Sequence, residues 1–170
     1  KNAVSDYFPD LKDNDDYTSI INQNHYDRLQ DLLNDAVEKG ATIDEINPAN
    51  EDFSQQEHFK IPPTIVSNTT DDMKIMQEEI FGPLLPVVEY DEIDEATKLI
   101  NSKDRPLGLY YFGNDQSEQD NILNKTSSGG VTVNNVISHL QQNDLSFGGV
   151  GPSGMGRYCL LYTSDAADDA

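Results

Sequence analysis

Met76-Gln77-Glu78-Glu79-Ile80-Phe81-Gly82-Pro83-Leu84-Leu85-Pro86 is the stretch whose reading decides the fold. Two carboxylates, Glu78 and Glu79, stand before an aromatic, Phe81, and a Gly82-Pro83 turn, and a hydrophobic strand, Leu84 to Val88, follows at once. A carboxylate accepts hydrogen bonds from sugar hydroxyls, and an aromatic edge packs against a flat heterocycle. Such a corner suits the ribose and ring of a dinucleotide. The same residues also read as a solvated helix end followed by a buried aromatic, because charged side chains are ordinarily surface residues.

Outward from this corner the pattern alternates between strand and helix. On its N-terminal side, residues 69–79 read as a short helix capped by Thr69 or Thr70, with Asp71 and Asp72 in its first turn. Residues 57–66 hold Phe59, Ile61, Ile65 and Val66 around Pro62-Pro63, which predicts an edge or irregular strand. Residues 41–56 are polar and carry Asn47-Pro48-Ala49-Asn50, the composition of a turn-rich linker. Tyr26, Leu29, Leu33, Ala36 and Val37 recur at helical spacing between Asn24, a candidate N-cap, and Gly40, a candidate stop. Residues 1–20, with Asp6, Asp10, Asp13, Asp15 and Asp16, read as a loose lead-in.

On the C-terminal side the strand is expected to run from Leu84 to Tyr90. A helix is expected over Asp91–Ser102, with Ile93, Ala96 and Ile100 on one face. Leu107 to Phe112 is a continuous apolar run, expected to be a strand buried on both faces. Asn114, Asp115 and Ser117 offer caps for a helix through Lys125, and Gly129-Gly130 leads into a strand over 131–134. This rhythm predicts an α/β fold, with crossover units on a mainly parallel sheet.

Composition narrows the function. The 170 residues carry 31 acidic and 11 basic side chains, for a net charge of −20. That surface repels phosphate backbones and anionic lipid, so neither nucleic acid nor a membrane is expected as a partner. No apolar run approaches the ~20 residues of a membrane helix. The polar first residues show no secretory signal, so the expected location is the cytoplasm. The chain lacks an initiator Met, which points to a longer reading frame. One cysteine, Cys159, has Tyr158, Leu160 and Leu161 as neighbours and no nearby His to activate it. His25, His58 and His139 form no metal-ligand spacing with one another or with the cysteine, so no metal is expected. Gly148 to Gly156 is glycine-dense but lacks the Lys-Ser/Thr ending of a phosphate-binding loop. Its glycines are expected to allow positive φ and close backbone approach.

Four segments resemble, in order and spacing, the aldehyde dehydrogenase family. They are Pro63-Thr64-Ile65 with the acidic run to Met76, the Gln77–Pro83 corner, Arg105 to Tyr110, and Ser128-Gly129-Gly130-Val131 through Phe147-Gly148-Gly149. The resemblance covers about residues 17–158. VNNVISHL and LSFGGVGPSGMGRY resemble the family's class 3 branch. With Ile46-Asn47-Pro48-Ala49-Asn50 and Leu109-Tyr110-Tyr111-Phe112, they are most similar to its members that oxidise coniferyl aldehyde.

The resemblance implies a fragment, residues 1–158 forming the C-terminal part of a catalytic domain and 159–170 being a non-native tail. It implies oxidation of a small-molecule aldehyde, aromatic or hydrophobic, to the acid with NAD or NADP. It places the cofactor on Glu79 and Phe81, and the substrate beside Phe147 and Asn135. His139, beside an apolar patch, reads either as lining a substrate entrance or as a hydrogen-bonded structural histidine. No catalytic residue is carried over, because the family's nucleophilic cysteine and base glutamate match no position here. The fragment alone is therefore expected to be inactive. The parent is expected to be a homodimer, with dimer formation by the fragment in doubt. A free-standing, non-catalytic acidic binding domain of α/β class is the competing expectation.

Overall fold

The computed structural model describes residues 1–142 and 144–156. The chain divides into two compact units, Lys1–Glu89 and Tyr90–Ala170, each considered by itself. Cys159 and the expected tail lie outside the described residues.

The first unit is organised by its long helix. The Asn22 carboxamide accepts a hydrogen bond from the His25 amide at 3.0 Å, satisfying one of the otherwise unpaired amides at a helix start. Asn22, not Asn24, is therefore the cap. Helix α2 spans Gln23–Glu38, after a short α1 at Asn2–Tyr7. Gly40 takes a positive φ of 94° just beyond its end, as a helix stop requires. The apolar stripe buries Leu29, Leu32 and Ala36 against Ile61, Val66, Met73, Ile75 and Leu84. Burial of each large aliphatic side chain stabilises the fold by about 1.5–3 kcal/mol.

Three strands lie beside this helix, in the order β1 (Thr42–Glu45), β2 (Thr64–Ser67) and β3 (Leu84–Pro86). The β1 and β2 strands run antiparallel; β2 and β3 run parallel. β2 is thus central, which corrects the expectation of an edge strand. Pro62 and Pro63 lie before the ladder rather than in it, and their carbonyls are used. Pro62 accepts from the Thr64 hydroxyl and Pro63 from the Ile46 amide, both at 2.8 Å. The proline inside a strand is Pro86, on edge strand β3, where a missing amide is tolerated.

Other expectations for this unit also change. Part of the 41–56 linker forms β1, whose polar residues suit an exposed edge. The helix expected over 69–79 is reduced to one 3-10 turn, Lys74–Met76. Thr70 spends its hydroxyl on Asp72 rather than on a backbone amide. Strand β3 stops at Pro86, short of Tyr90. The lead-in is held, not loose. Leu11 is fully buried, the Leu11 and Lys12 amides donate to the Glu51 carboxylate at 2.7 and 3.1 Å, and the buried Lys60 ammonium donates to the carbonyls of Leu11 and Asn14.

The second unit contains α3 (Ile93–Ser102), β4 (Gly108–Tyr111), α4 (Gln116–Lys125) and β5 (Gly130–Val133). β4 and β5 pair in parallel, and α4 is the crossover between them. The Asp115 carboxylate caps α4, accepting from the amides of Ser117 and Glu118 at 2.8 and 3.1 Å. Asp94 joins α3 to α4 through Asn121 and Lys125, at 2.8 and 2.9 Å. β4 buries Leu109 and Tyr111 with Ile122 but leaves Tyr110 exposed. It is therefore buried on one face, not two. The α/β class holds, with parallel pairs in both units, but the strands form two separate sheets.

Candidate functional site

Arg28, on the polar side of α2, fixes the corner after the 3-10 turn. Its guanidinium donates to the Glu79 carbonyl at 3.1 Å and to the Ile80 carbonyl, and it lies 3.8 Å from the Glu78 carboxylate. Gly82 then sits on the fully buried Leu29; a Cβ there would come within 2.6 Å of the leucine Cδ1. Between these anchors Phe81 is held at a φ of +49°, a conformation uncommon for a residue with a side chain, and its ring is 82% exposed. Glu79 is exposed, and its carboxylate takes no hydrogen bond or ion pair among the described residues. Glu78, by contrast, is partnered to Arg28. Phe81 and Pro83 form one wall of an open hollow of about 860 Å³, with Phe8, Tyr17, Ile20 and Ile21. The corner's backbone is therefore anchored by Arg28, with the Glu79 carboxylate and the Phe81 ring exposed.

In the second unit, Gly108 and Gly130 are cross-strand partners, and so are Tyr110 and Thr132. Side chains two residues apart share a strand face, so these four positions lie on the sheet face opposite Leu109 and Tyr111. The glycine pair leaves a notch there, and the His139 ring lies in it. A Cβ on Gly130 would overlap the imidazole Cδ2. His139 Nδ1 is 2.9 Å from the Thr132 hydroxyl, and its ring centroid is 5.9 Å from that of Tyr110 and 6.4 Å from that of Phe147. His139 and Phe147 are thus brought together. Asn135 is exposed, with its side-chain oxygen turned onto the Val136 amide at 2.8 Å. Its neighbour Asn134 exchanges two hydrogen bonds with the Gly113 backbone and is a structural clamp. In the glycine loop, Gly151, Gly154 and Gly156 take positive φ, as expected.

Two contributors escape the sequence reading. Arg28 reaches the corner across 51 residues of chain, and no local pattern announces that contact. Thr132 had only an indirect signal: Gly108 and Gly130 each begin a strand, and paired in register they open the notch that the His139 ring enters.

The Aldehyde dehydrogenase family profile matches residues 4–166. This chain belongs to the aldehyde dehydrogenase family. It is 60% identical over 156 residues to a probable coniferyl aldehyde dehydrogenase of Caulobacter vibrioides, covering 92% of this chain and 32% of that relative. The substrate-bound aldehyde dehydrogenase AldH of Staphylococcus aureus superposes with a TM-score of 0.84 at 38% identity, over 96% of this chain and 34% of that one. Aldehyde dehydrogenase C of Pseudomonas syringae, solved with NAD+ and octanal, matches with a TM-score of 0.69 at 30% identity, over 82% of this chain and 28% of that one. The chain spans about a third of the length of the curated relatives it matches. Among the described residues, no helix is long and apolar enough to cross a membrane.

Proposed function

We propose that this aldehyde dehydrogenase chain is the part of an NAD(P)-dependent enzyme that grips the nicotinamide half of the coenzyme, and that the whole enzyme oxidises coniferyl or another aromatic or hydrophobic aldehyde to its acid. The observation that carries this reading is the Glu79–Phe81 corner: an unpartnered carboxylate and an exposed ring on a backbone fixed by Arg28. The donor set fits the group. Glu79 would accept hydrogen bonds from ribose hydroxyls, and Phe81 would pack at the ring and keep water from it. Bound NAD(P)+ supplies a two-electron hydride acceptor. Phe147 and His139, and Asn135 on the neighbouring turn, would line the aldehyde's path.

Cys159, the chain's one cysteine, has no histidine beside it in the sequence to activate it. The chain by itself is therefore inactive in this reading, and the whole enzyme is a cytoplasmic homodimer. The test uses the complete reading frame containing this chain. It reduces NAD+ or NADP+ when given coniferyl aldehyde, and Glu79→Gln raises the coenzyme KM about tenfold, as loss of a hydrogen bond to a charged acceptor requires, with little change in the aldehyde KM. Absence of aldehyde-dependent reduction overturns the reading in favour of a non-catalytic binding domain. An unchanged coenzyme KM in Glu79→Gln overturns the role of the corner.

A further inference from the structure

The sheet face opposite the core of the second unit is built around one imidazole. His139 fills the notch between Gly108 and Gly130, and a side chain on Gly130 would expel it. To reach that notch the chain doubles back at Ile137, which is held at a φ of +64°. A β-branched residue in the left-handed region is a true outlier, and such strain persists only where the surroundings enforce it. Beyond that turn, a 2.9 Å hydrogen bond joins Thr132 to His139 Nδ1 and restricts the rotation of the ring. With Nδ1 occupied, the imidazole is left in tilted contact with two rings, Tyr110 at 5.9 Å and Phe147 at 6.4 Å between centroids.

We propose that His139 is a positioning residue: pinned by Thr132 in the glycine notch, it holds the Phe147 ring at the angle that selects aromatic over short aliphatic aldehydes. This rests on the functional reading above, in which Phe147 lines the aldehyde's path. Thr132 acts through His139 and touches no substrate. Its hydroxyl can therefore be removed in near-isosteric form by Thr132→Val, which suits a strand, and kept by Thr132→Ser.

The experiment is steady-state kinetics of the complete enzyme with an aromatic and a short aliphatic aldehyde. Thr132→Val is expected to raise the KM of the aromatic aldehyde about fivefold, the worth of one oriented aromatic contact, with kcat and the coenzyme KM held within about twofold. The aliphatic KM stays where it was, and Thr132→Ser restores the aromatic KM. Equal KM shifts for both aldehydes would show general loosening and overturn the positioning role, as would no shift at all in an active enzyme. A wild-type enzyme that reduces no coenzyme with any aldehyde overturns the functional reading instead, and the positioning role with it.

Discussion

Arg28 donates to the backbone carbonyl of Glu79, not to its carboxylate, at 3.1 Å. The helix thus immobilises the main chain of the corner while leaving the acidic side chain available. The arginine's guanidinium meets Glu78 and the carbonyls of Glu79 and Ile80.

Replacing Arg28 by Met removes those donors but keeps most of the apolar stem. The guanidinium is partly solvated, so the loss is smaller than for a buried cation. Urea unfolding of the chain is expected to show a destabilisation of about 1–2 kcal/mol. A variant as stable as the wild type would mean that the corner holds its shape without the helix.

Gly82 tests the second anchor. Alanine there would press a methyl group to within 2.6 Å of Leu29 Cδ1, inside the first unit's core. Overpacking of this kind costs about 1–3 kcal/mol. The clash should disappear when Leu29 is itself shortened. In a Leu29→Ala background, already weakened by about 2–5 kcal/mol, Gly82→Ala is expected to cost little or nothing further. A double-mutant cycle by chemical denaturation checks the coupling; strict additivity would show that contact with Leu29 does not limit the side chain at position 82.

Much of this architecture was legible in the sequence, and the exceptions share a cause. Helix α2, the capped α4 and the strand after Gly129-Gly130 are set by local periodicity and local hydrogen bonds, so they could be read. β1 could not: Thr42-Ile43-Asp44-Glu45 has a linker's polarity and becomes a strand because β2 offers it a partner. The lead-in reads as loose because its anchors, Glu51 and Lys60, lie roughly forty to fifty residues away. At the candidate site, Glu79 and Phe81 stood out by residue type and order. Arg28 and Thr132 did not, because what they do is defined by contacts across the fold.

Tyr17 offers a spectroscopic check on the lead-in. Its hydroxyl donates to the Ile61 carbonyl at 2.6 Å, and burial pushes its pKa up to about 12 from the ordinary value of 10.0. The neutral form is favoured in the folded chain. The resulting stability is therefore complete below pH 10 and is lost as pH rises toward 12. Tyr111 is also raised, first by burial and then by its hydrogen bond to Glu118. An ultraviolet titration should show a late-ionising component that shrinks in Tyr17→Phe. An undiminished late component would place Tyr17 in solvent.

Asp35 makes the acid limit testable. Its carboxylate accepts from the Lys74 amide at 2.8 Å and from the Lys39 ammonium at 2.9 Å, tying α2 to the 3-10 turn that precedes the corner. The backbone hydrogen bond from Lys74, and next that from Lys39, hold its pKa below the ordinary 3.8. A carboxylate lowered in the folded state contributes stability above its unfolded pKa and loses it as pH falls through the lower, folded value. Acidification also discharges the net −20 surface, which relieves repulsion and partly masks this loss. Comparing Asp35→Asn with wild type at each pH cancels most of that common effect. The variant retains an acceptor for the Lys74 amide but no charge for Lys39. Denaturant midpoints are expected to show wild type more stable at neutral pH, with the difference shrinking below the unfolded carboxylate value of 3.8. A difference that stays constant with pH would mean that the charge of Asp35 does not stabilise the fold.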